Sequence, residues 1–412
     1  MRLPERGREP GEVLEALEAL RAGDVDWRGG RAFTLAYHAG DEVLALAREA
    51  YARFSAENAL NVHAFPSLRA MQADVLAMLA ELLHGGAEAA GFLTSGGTES
   101  LLMAVLAARE RGRAERGVRA PEMVLPTTAH AAFEKAAHYF GVRSVRIPVR
   151  GDWRADPDAM AAAVGPNTVL LVASAPQYPQ GVVDPVAEVA AIAEARGIPC
   201  HVDACMGGMV LPFLERLGEP VPRWDFRVPG VTSVSVDLHK YGYTAKGASA
   251  ILHRTKALRR YQTFQTDNWL GGAYASSGVL GTKSGGAIAA AWAVMQHLGA
   301  EGYLRLARSA REACLRVAAG VEAIPGARLL APPEATLLAF GFDDADPFAV
   351  ADALWRRGWY VDRQGPPPSL HLTVNAVHAA VADAFLADLA ASAGEARAAA
   401  ARGARGAYGT LE

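Results

Sequence analysis

Three separated stretches carry side chains from which chemistry can be built. Thr94-Ser-Gly-Gly-Thr-Glu-Ser100 follows a short apolar run and opens a helical one. Glycines let a backbone close on an anion, and the free N–H groups and positive dipole end of a helix start suit a phosphate, to which Thr98 and Ser100 add hydroxyl donors. The run is neither G-x-G-x-x-G nor a Walker loop, and Gly-rich strand-to-helix turns also occur without a ligand. His201-Val-Asp-Ala204 ends an apolar run, where open α/β sheets hold ligands. A carboxylate there is costly to bury without a partner, and a satisfied structural pair of His201 with Asp203 is the plainer alternative. Ser235-Val-Asp-Leu-His-Lys-Tyr-Gly-Tyr-Thr-Ala-Lys-Gly247 sets Lys240 at a strand end among apolar and aromatic neighbours. Desolvation there lowers an amine's pKa and makes it a nucleophile, although a lone lysine is usually a surface cation. A phosphate turn, an aspartate and a lysine in that chain order are together what pyridoxal 5′-phosphate requires. The lysine forms the Schiff base, the aspartate keeps the pyridine nitrogen protonated, and the turn anchors the phosphate.

The elements that must hold these groups are legible in the apolar spacing. Residues 40–60 and 68–84 read as helices, with Val75, Leu76, Met78, Leu79, Leu82 and Leu83 recurring at three- and four-residue spacing. Strands are expected at 91–93, 123–126, 144–148, 168–174, 199–202, 232–236 and 248–252, separated by helical segments such as 101–111 and 186–196. Continuous apolar runs suit strands covered on both faces, so the expected fold class is α/β, with a large domain on a mostly parallel, doubly wound sheet. After about residue 300, a helix at 301–320, strands at 336–342 and 370–374 and a closing helix at 379–391 indicate a smaller C-terminal α+β domain. The expected divisions are an N-terminal helical segment over 1–60, the large domain over 61–300, the small domain over 301–395 and an Ala/Arg/Gly-rich tail over 396–412.

Composition narrows the class. A chain of 412 residues can bury a large core and exceeds one ordinary domain. With 51% apolar and 21% charged residues it is neither disordered nor collagen-like. Its 41 Lys and Arg against 44 Asp and Glu leave a formal charge of −3, so no basic field draws it to nucleic acid, and a small molecule is the expected partner. The longest nearly uninterrupted apolar run, 285–295, falls short of the ~20 residues that span a bilayer, so no transmembrane segment is expected. Cys200, Cys205 and Cys314 are too sparse to staple the chain, and the Arg- and Glu-studded N-terminus does not look like a signal peptide. The expected location is cytoplasmic. His63, Cys200 and Cys205 lack the second ligand pair of a zinc site, so no metal is expected.

From about residue 30 to 390 the sequence resembles the fold-type I pyridoxal-phosphate enzymes of the group II decarboxylase superfamily, and within it the sphingosine-1-phosphate lyases. The resemblance rests on Asn61-Val-His63 with Phe65-Pro66, Thr94–Ser100, His130 with Phe133-Glu-Lys135, Ser174-Ala-Pro-Gln-Tyr178, His201–Gly208, His239–Gly247, and Gly281-Thr-Lys283 before Gly285. It implies that Lys240 bears the cofactor, Asp203 meets the ring nitrogen and His130 stacks on the ring face. His201 is placed with the cofactor-binding residues. Gly97, Thr98 and His239 would hold the phosphate, joined by Gly281 and Thr282 of a neighbouring subunit in a homodimer. Lys246 would recognise a substrate phosphate, and Tyr178, Tyr37 and His63 would act at the reacting centre. The activity implied is retro-aldol cleavage of the C2–C3 bond of a phosphorylated lipid amino alcohol, a sphingoid base 1-phosphate, to a long-chain aldehyde and ethanolamine phosphate. The alternatives are an amino-acid decarboxylase on the same scaffold and a catalytically silent scaffold. The chain departs from the family in reading Lys283-Ser284 where Arg-Pro is common, and Ser276-Ser277-Gly278 where Ser-Pro-Thr is common. Lysine keeps the charge but loses the bidentate fork.

Overall fold

In a computed structural model of the chain, residues 2–399, 402–404 and 406 are described. The large domain is built on strands β1 (Ala90–Thr94), β2 (Glu122–Pro126), β3 (Arg143–Ile147), β4 (Thr168–Ser174), β5 (Cys200–Asp203), β6 (Val231–Val236) and β7 (Ser249–His253), in the order β1-β7-β6-β5-β4-β2-β3. Only β7 runs against the rest, pairing antiparallel with both β6 and β1. All seven residues of β4, Thr-Val-Leu-Leu-Val-Ala-Ser, are buried, as a strand covered on both faces requires.

The helices are α1 (Pro10–Leu20), α2 (Asp41–Arg53), α3 (Pro66–Leu82), α4 (Gly97–Arg116), α5 (Ala132–Phe140), α6 (Pro157–Ala163), α7 (Val186–Ala195), α8 (Leu211–Arg216), α9 (Lys256–Arg259), α10 (Gly286–Glu322), α11 (Pro347–Arg356) and α12 (Ala382–Ala399). Helices α4 and α5 close one face of the sheet over Met123, Leu125, Leu170, Val172 and Ile251. On the other face α3, α6, α7 and α8 pack over Val124, Leu171, Ala173, Val202 and Val234. A short hairpin, β8 (Phe264–Thr266) with β9 (Tyr274–Ser276), stands outside the sheet. The small domain has strands β10 (Ala327–Leu329), β11 (Leu337–Phe342), β12 (Asp362–Gln364) and β13 (Ser369–Thr373) in an antiparallel sheet of order β10-β11-β13-β12, backed by α11 and α12.

Two boundaries differ from expectation. The apolar run 285–295 is the first part of α10, a single long helix with a kink at Gly299. Its Leu306 and Ala307 still belong to the large core, while Ala313 and Cys314 belong to the small one, so the change of domain occurs inside the helix and not at residue 300. The N-terminal 60 residues also divide. Helix α1 buries no residue, α2 packs on α10, and Ala32-Phe33 adds to the small sheet, where Phe33 N donates to Tyr360 O and Thr373 N to Phe33 O. Of the expected tail, residues 396–399 complete α12 and 402–404 and 406 are described. The remainder lies outside the described residues. Among the described residues no helix is long and apolar enough to cross a membrane.

Candidate active site

The carboxyl ends of the strands that share one direction deliver the site, as expected for an open α/β sheet. β1 leads into Gly97 and Thr98 at the start of α4, β2 into the loop bearing His130, β4 into Tyr178, β5 ends on Asp203, and β6 is followed by Asp237, His239 and Lys240. All of them line one cleft of about 610 Å³, a size suited to a small molecule.

The floor of the cleft is a set of mutually supported polar groups. Lys240 Nζ lies 3.0 Å from Asp237 Oδ2. Asp237 is 2% exposed, and its Oδ1 accepts from Ser249 Oγ at 2.6 Å. Burial works to raise the Asp237 carboxyl, but Lys240, His239 and the Ser249 hydroxyl more than offset it and hold it below the ordinary carboxylate value. Asp203 is fixed at Oδ1 by Cys205 N at 3.1 Å and Ser235 Oγ at 3.3 Å. Behind it, His201 is fully buried, bonded to Ser233 Oγ at 2.8 Å and Ser235 Oγ at 3.3 Å, and burial lowers its pKa to about 4. His201 therefore supports Asp203 through Ser235 and does not itself line the cleft. This corrects its expected place among the cofactor contacts: the ring is engaged by Ser233 and Ser235 of the neighbouring strand and is absent from the cleft lining. Burial first, then Asp203 and Asp237, push the Cys205 thiol well above its usual range, so it is no nucleophile. A Cβ at Gly97 would fall 2.7 Å from Asp237 Oδ2 and 2.9 Å from Cys205 Sγ, so glycine is what lets α4 start directly over this floor.

The walls are His130, His239, the start of α4, and Tyr178. His130 Nδ1 accepts from Ala132 N at 3.1 Å, and burial, helped by Lys240 and opposed by Asp203, lowers its pKa, so the ring is a neutral plate. Helix α4 begins with no side-chain cap, leaving its first N–H groups and positive dipole end for an anion. Glu99 ties the wall together: it accepts from Ser95 N, Ser95 Oγ and Val279 N, each at 2.7 Å. Tyr178 donates to Asp362 Oδ2 at 2.5 Å, and Thr34 Oγ1 lies 3.2 Å from its hydroxyl. Tyr37 stands beside the cleft, its hydroxyl 3.9 Å from Sδ of the cleft residue Met206 and its ring edge-on to Tyr241.

Besides His201 and Tyr37, four expected residues, Lys246, Gly281, Thr282 and His63, do not line this cleft. Lys246 faces a neighbouring pocket of about 250 Å³ with Thr282 and Lys283, separated from Lys240 by Ser95 and Leu280, which line both. The residue is exposed, and its ammonium donates to Leu35 O at 2.7 Å and His239 O at 3.2 Å and lies 5.1 Å from the Tyr37 ring centre. Loss of hydration, reinforced by Lys240 and opposed by Asp237, lowers its pKa to about 8. Thr282 accepts from Asn58 Nδ2 at 3.3 Å, and Gly281 has open space around it. His63 is exposed and paired with Arg69 at 2.7 Å. Lys283 is likewise engaged, donating to Leu93 O at 3.0 Å and lying 4.4 Å from the Phe92 ring centre. Sequence reasoning missed Asp237 and Asp362. The first had a signal, an acid three residues before the lysine; the second, in a three-residue strand, had none.

The residues present fit pyridoxal phosphate. A lysine, a carboxylate, a neutral imidazole and a helix start converge on one cleft, and His239 Nδ1 is buried there with no partner among the described residues, an orphan that a bound phosphate would satisfy. No cluster of three or more metal-ligating side chains occurs among the described residues. The family model described as the pyridoxal-dependent decarboxylase conserved domain matches residues 11–342. Sphingosine-1-phosphate lyase 1 of Rattus norvegicus is 40% identical over 95% of this chain and 69% of its own. That of Oryza sativa subsp. japonica is 40% identical over 92% and 72%. The structure of a Burkholderia pseudomallei sphingosine-1-phosphate lyase superposes with a TM-score of 0.92 at 41% identity, covering 97% of this chain and 94% of that one. Glutamate decarboxylase of Lactobacillus brevis, at 20% identity and a TM-score of 0.84 over 96% and 95%, shares the fold. The chain belongs to the pyridoxal-dependent decarboxylase family and, within it, to the sphingosine-1-phosphate lyases.

Proposed function

We propose that this chain cleaves the C2–C3 bond of a sphingoid base 1-phosphate, releasing a long-chain aldehyde and ethanolamine phosphate. The observation that carries the choice over an amino-acid decarboxylase is the near twofold gap in identity between the lyases and the decarboxylase that shares the fold. Bound pyridoxal phosphate supplies the electron sink for the breaking bond. Lys240 would hold it covalently, with Asp237 beside it to pair with the ammonium ion when the lysine is free. Asp203 would keep the ring nitrogen charged, from a position that His201 and Ser235 stabilise. His130 would pack against the ring. Gly97, Thr98 and His239 hold the phosphate, and Tyr178 receives the proton of the substrate 3-hydroxyl.

A second copy of the chain completes the site in this reading. Support comes from the exposed apolar residues on the stretch before Gly281-Thr282, namely Trp269, Leu270, Val279 and Leu280, and from Val13, Leu14, Leu17 and Leu20 of α1, all uncovered within one chain. His63, Gly281, Thr282 and Lys246 then belong to a rim finished by the partner, with Lys246 receiving the substrate phosphate. Free, buried cysteines accord with work in the cytoplasm.

The test is to incubate purified protein with a sphingoid base phosphate and, separately, with glutamate, tyrosine and aspartate, assaying aldehyde and carbon dioxide. Aldehyde from the phosphate substrate alone is the expected result. Carbon dioxide from an amino acid would replace the lyase with a decarboxylase. Borohydride should fix the cofactor on the peptide containing Lys240 and leave Lys246 unlabelled.

A further inference from the structure

We infer that Asp362 is the terminal proton acceptor of the cleavage step, acting through Tyr178, so that the small domain contributes a positioning residue to a site otherwise built on the large one. The inference rests on the lyase reading given above.

Three parts of the chain meet at one point. Tyr178 comes from the loop after β4, Asp362 opens the small-domain strand Asp362–Gln364, and Thr34 follows the N-terminal segment that joins the small sheet. Asp362 Oδ2 accepts from the Tyr178 hydroxyl at 2.5 Å and from Thr34 Oγ1 at 3.1 Å. The same loop is gripped by two further small-domain side chains. Gln364 Nε2 donates to Pro179 O at 2.6 Å, and the His371 ring lies 4.1 Å from the Tyr178 ring. Burial lowers the His371 pKa to about 4, so this neighbour is a neutral ring.

Tyr178 also divides two cavities. It lines the cleft that holds Lys240, and it lines a wider outer cavity of about 1160 Å³ between the domains. Asp362 lines only the outer one. A proton received on the inner side of the phenol therefore has a carboxylate on the outer side, facing the outer cavity.

The chemistry requires such an acceptor. A phenol near pKa ~10 is a poor base while it keeps its proton, and a phenolate beside a carboxylate is disfavoured by like charge. The pair avoids the phenolate. As the substrate O3–H bond breaks, its proton passes to the Tyr178 oxygen, and the Tyr178 proton passes to Asp362. The O–H bonding electrons become the second bond of the C3 carbonyl, and the C2–C3 pair enters the cofactor's electron sink. One carboxylate becomes a carboxylic acid, tyrosine ends as it began, and Asp362 resets by losing its proton to the outer cavity.

The experiment compares wild-type holoenzyme with Asp362→Asn, Tyr178→Phe and the double variant on a sphingoid base phosphate, in single turnover. Each single variant should lower the cleavage rate roughly 100-fold, in the range of general acid–base contributions. The double variant should be no slower than the slower single one, because both act on one step. A 3-deoxy sphingoid base phosphate has no proton to give, so its dissociation constant, read from the cofactor's absorbance, should stay within about twofold of wild type in Asp362→Asn. A cleavage rate of Asp362→Asn close to wild type, multiplicative losses in the double variant, or weakened binding of the 3-deoxy compound would each overturn the relay. The wild type gives a check that needs no variant. Its cleavage rate should depend on the deuterium fraction of the solvent with the curvature of two protons in flight, and a linear dependence would overturn the relay too. Wild type that makes no aldehyde would defeat the lyase reading itself. Active wild type with an insensitive Asp362→Asn defeats only the relay.

Discussion

Two regions of the site are built by different means. Asp203, Asp237, His201 and Ser249 sit on or beside buried strands, each with hydrogen-bond partners within the chain. Gly281, Thr282, His63 and Lys246 sit on exposed loops, where His63 meets the nearby Asn61 and Arg69, and Thr282 and Lys246 are tied to the distant Asn58 and Leu35 by single bonds across the surface. A parallel sheet brings strand ends together whatever else happens, so the floor is complete in one chain. Loops at the rim have no such constraint, and residues there become a site only when something covers them. In the function proposed above, the difference divides residues that one chain holds in place from residues that a second copy would complete.

The largest expected effect breaks the floor. Asp237→Ala removes the buried carboxylate that lies against the Lys240 ammonium, and removal of one member of a buried pair typically costs about 3–5 kcal/mol. Chemical denaturation of the protein without cofactor should show a loss of that order. A change below about 1 kcal/mol would mean that water already screens the pair as it screens surface ion pairs.

Next, Asp203→Asn keeps the shape but removes the charge meant for the ring nitrogen. A charge-assisted hydrogen bond contributes about 1.5–3 kcal/mol, so turnover should fall roughly 10- to 150-fold while the cofactor still binds. Turnover within a few-fold of wild type would remove Asp203 from that role. Gly97→Ala should act at a similar or smaller scale, since its Cβ would press on Asp237 Oδ2 and Cys205 Sγ and overpacking costs about 1–3 kcal/mol. The readout is a weaker dissociation constant for pyridoxal phosphate. Unchanged affinity would show that the start of α4 shifts freely.

How much was legible in the sequence follows the same division. The run of apolar residues over 168–174 bounds strand β4, and Asp203 and Lys240 are legible at or after strand ends because apolar runs stop there. Such runs are local signals. His201 was misplaced because an alternating strand puts residues 201 and 203 on one side without saying which stands deeper. The change of domain within α10 was missed because a helix keeps its 3.6-residue period while its partners change from one core to another. Asp362 lay beyond sequence reasoning altogether, since its meeting with Tyr178 depends on the docking of two domains across 184 positions of chain.

The smallest expected effect sharpens the rim. With a folded-state pKa of about 8, Lys246 stands below the ~10.4 of a lysine in the unfolded chain. The native state therefore binds fewer protons at this position between those values, and this group's contribution to stability rises as pH increases through that window. Burial makes its charged form less favourable than in the unfolded chain, although that form still predominates below about pH 8. Recognition of a substrate phosphate nevertheless needs the ammonium ion. KM for the phosphorylated substrate should be level up to about pH 8 and then rise by roughly tenfold per unit, until it meets the value of Lys246→Met. Lys246→Arg keeps its charge throughout and should remain level, even where its bulk raises KM overall. An unphosphorylated amino alcohol should show no difference between wild type and Lys246→Met. If wild-type KM instead stays level to about pH 10, Lys246 is a hydrated loop lysine with an ordinary pKa, and the substrate phosphate must be held by another part of the rim.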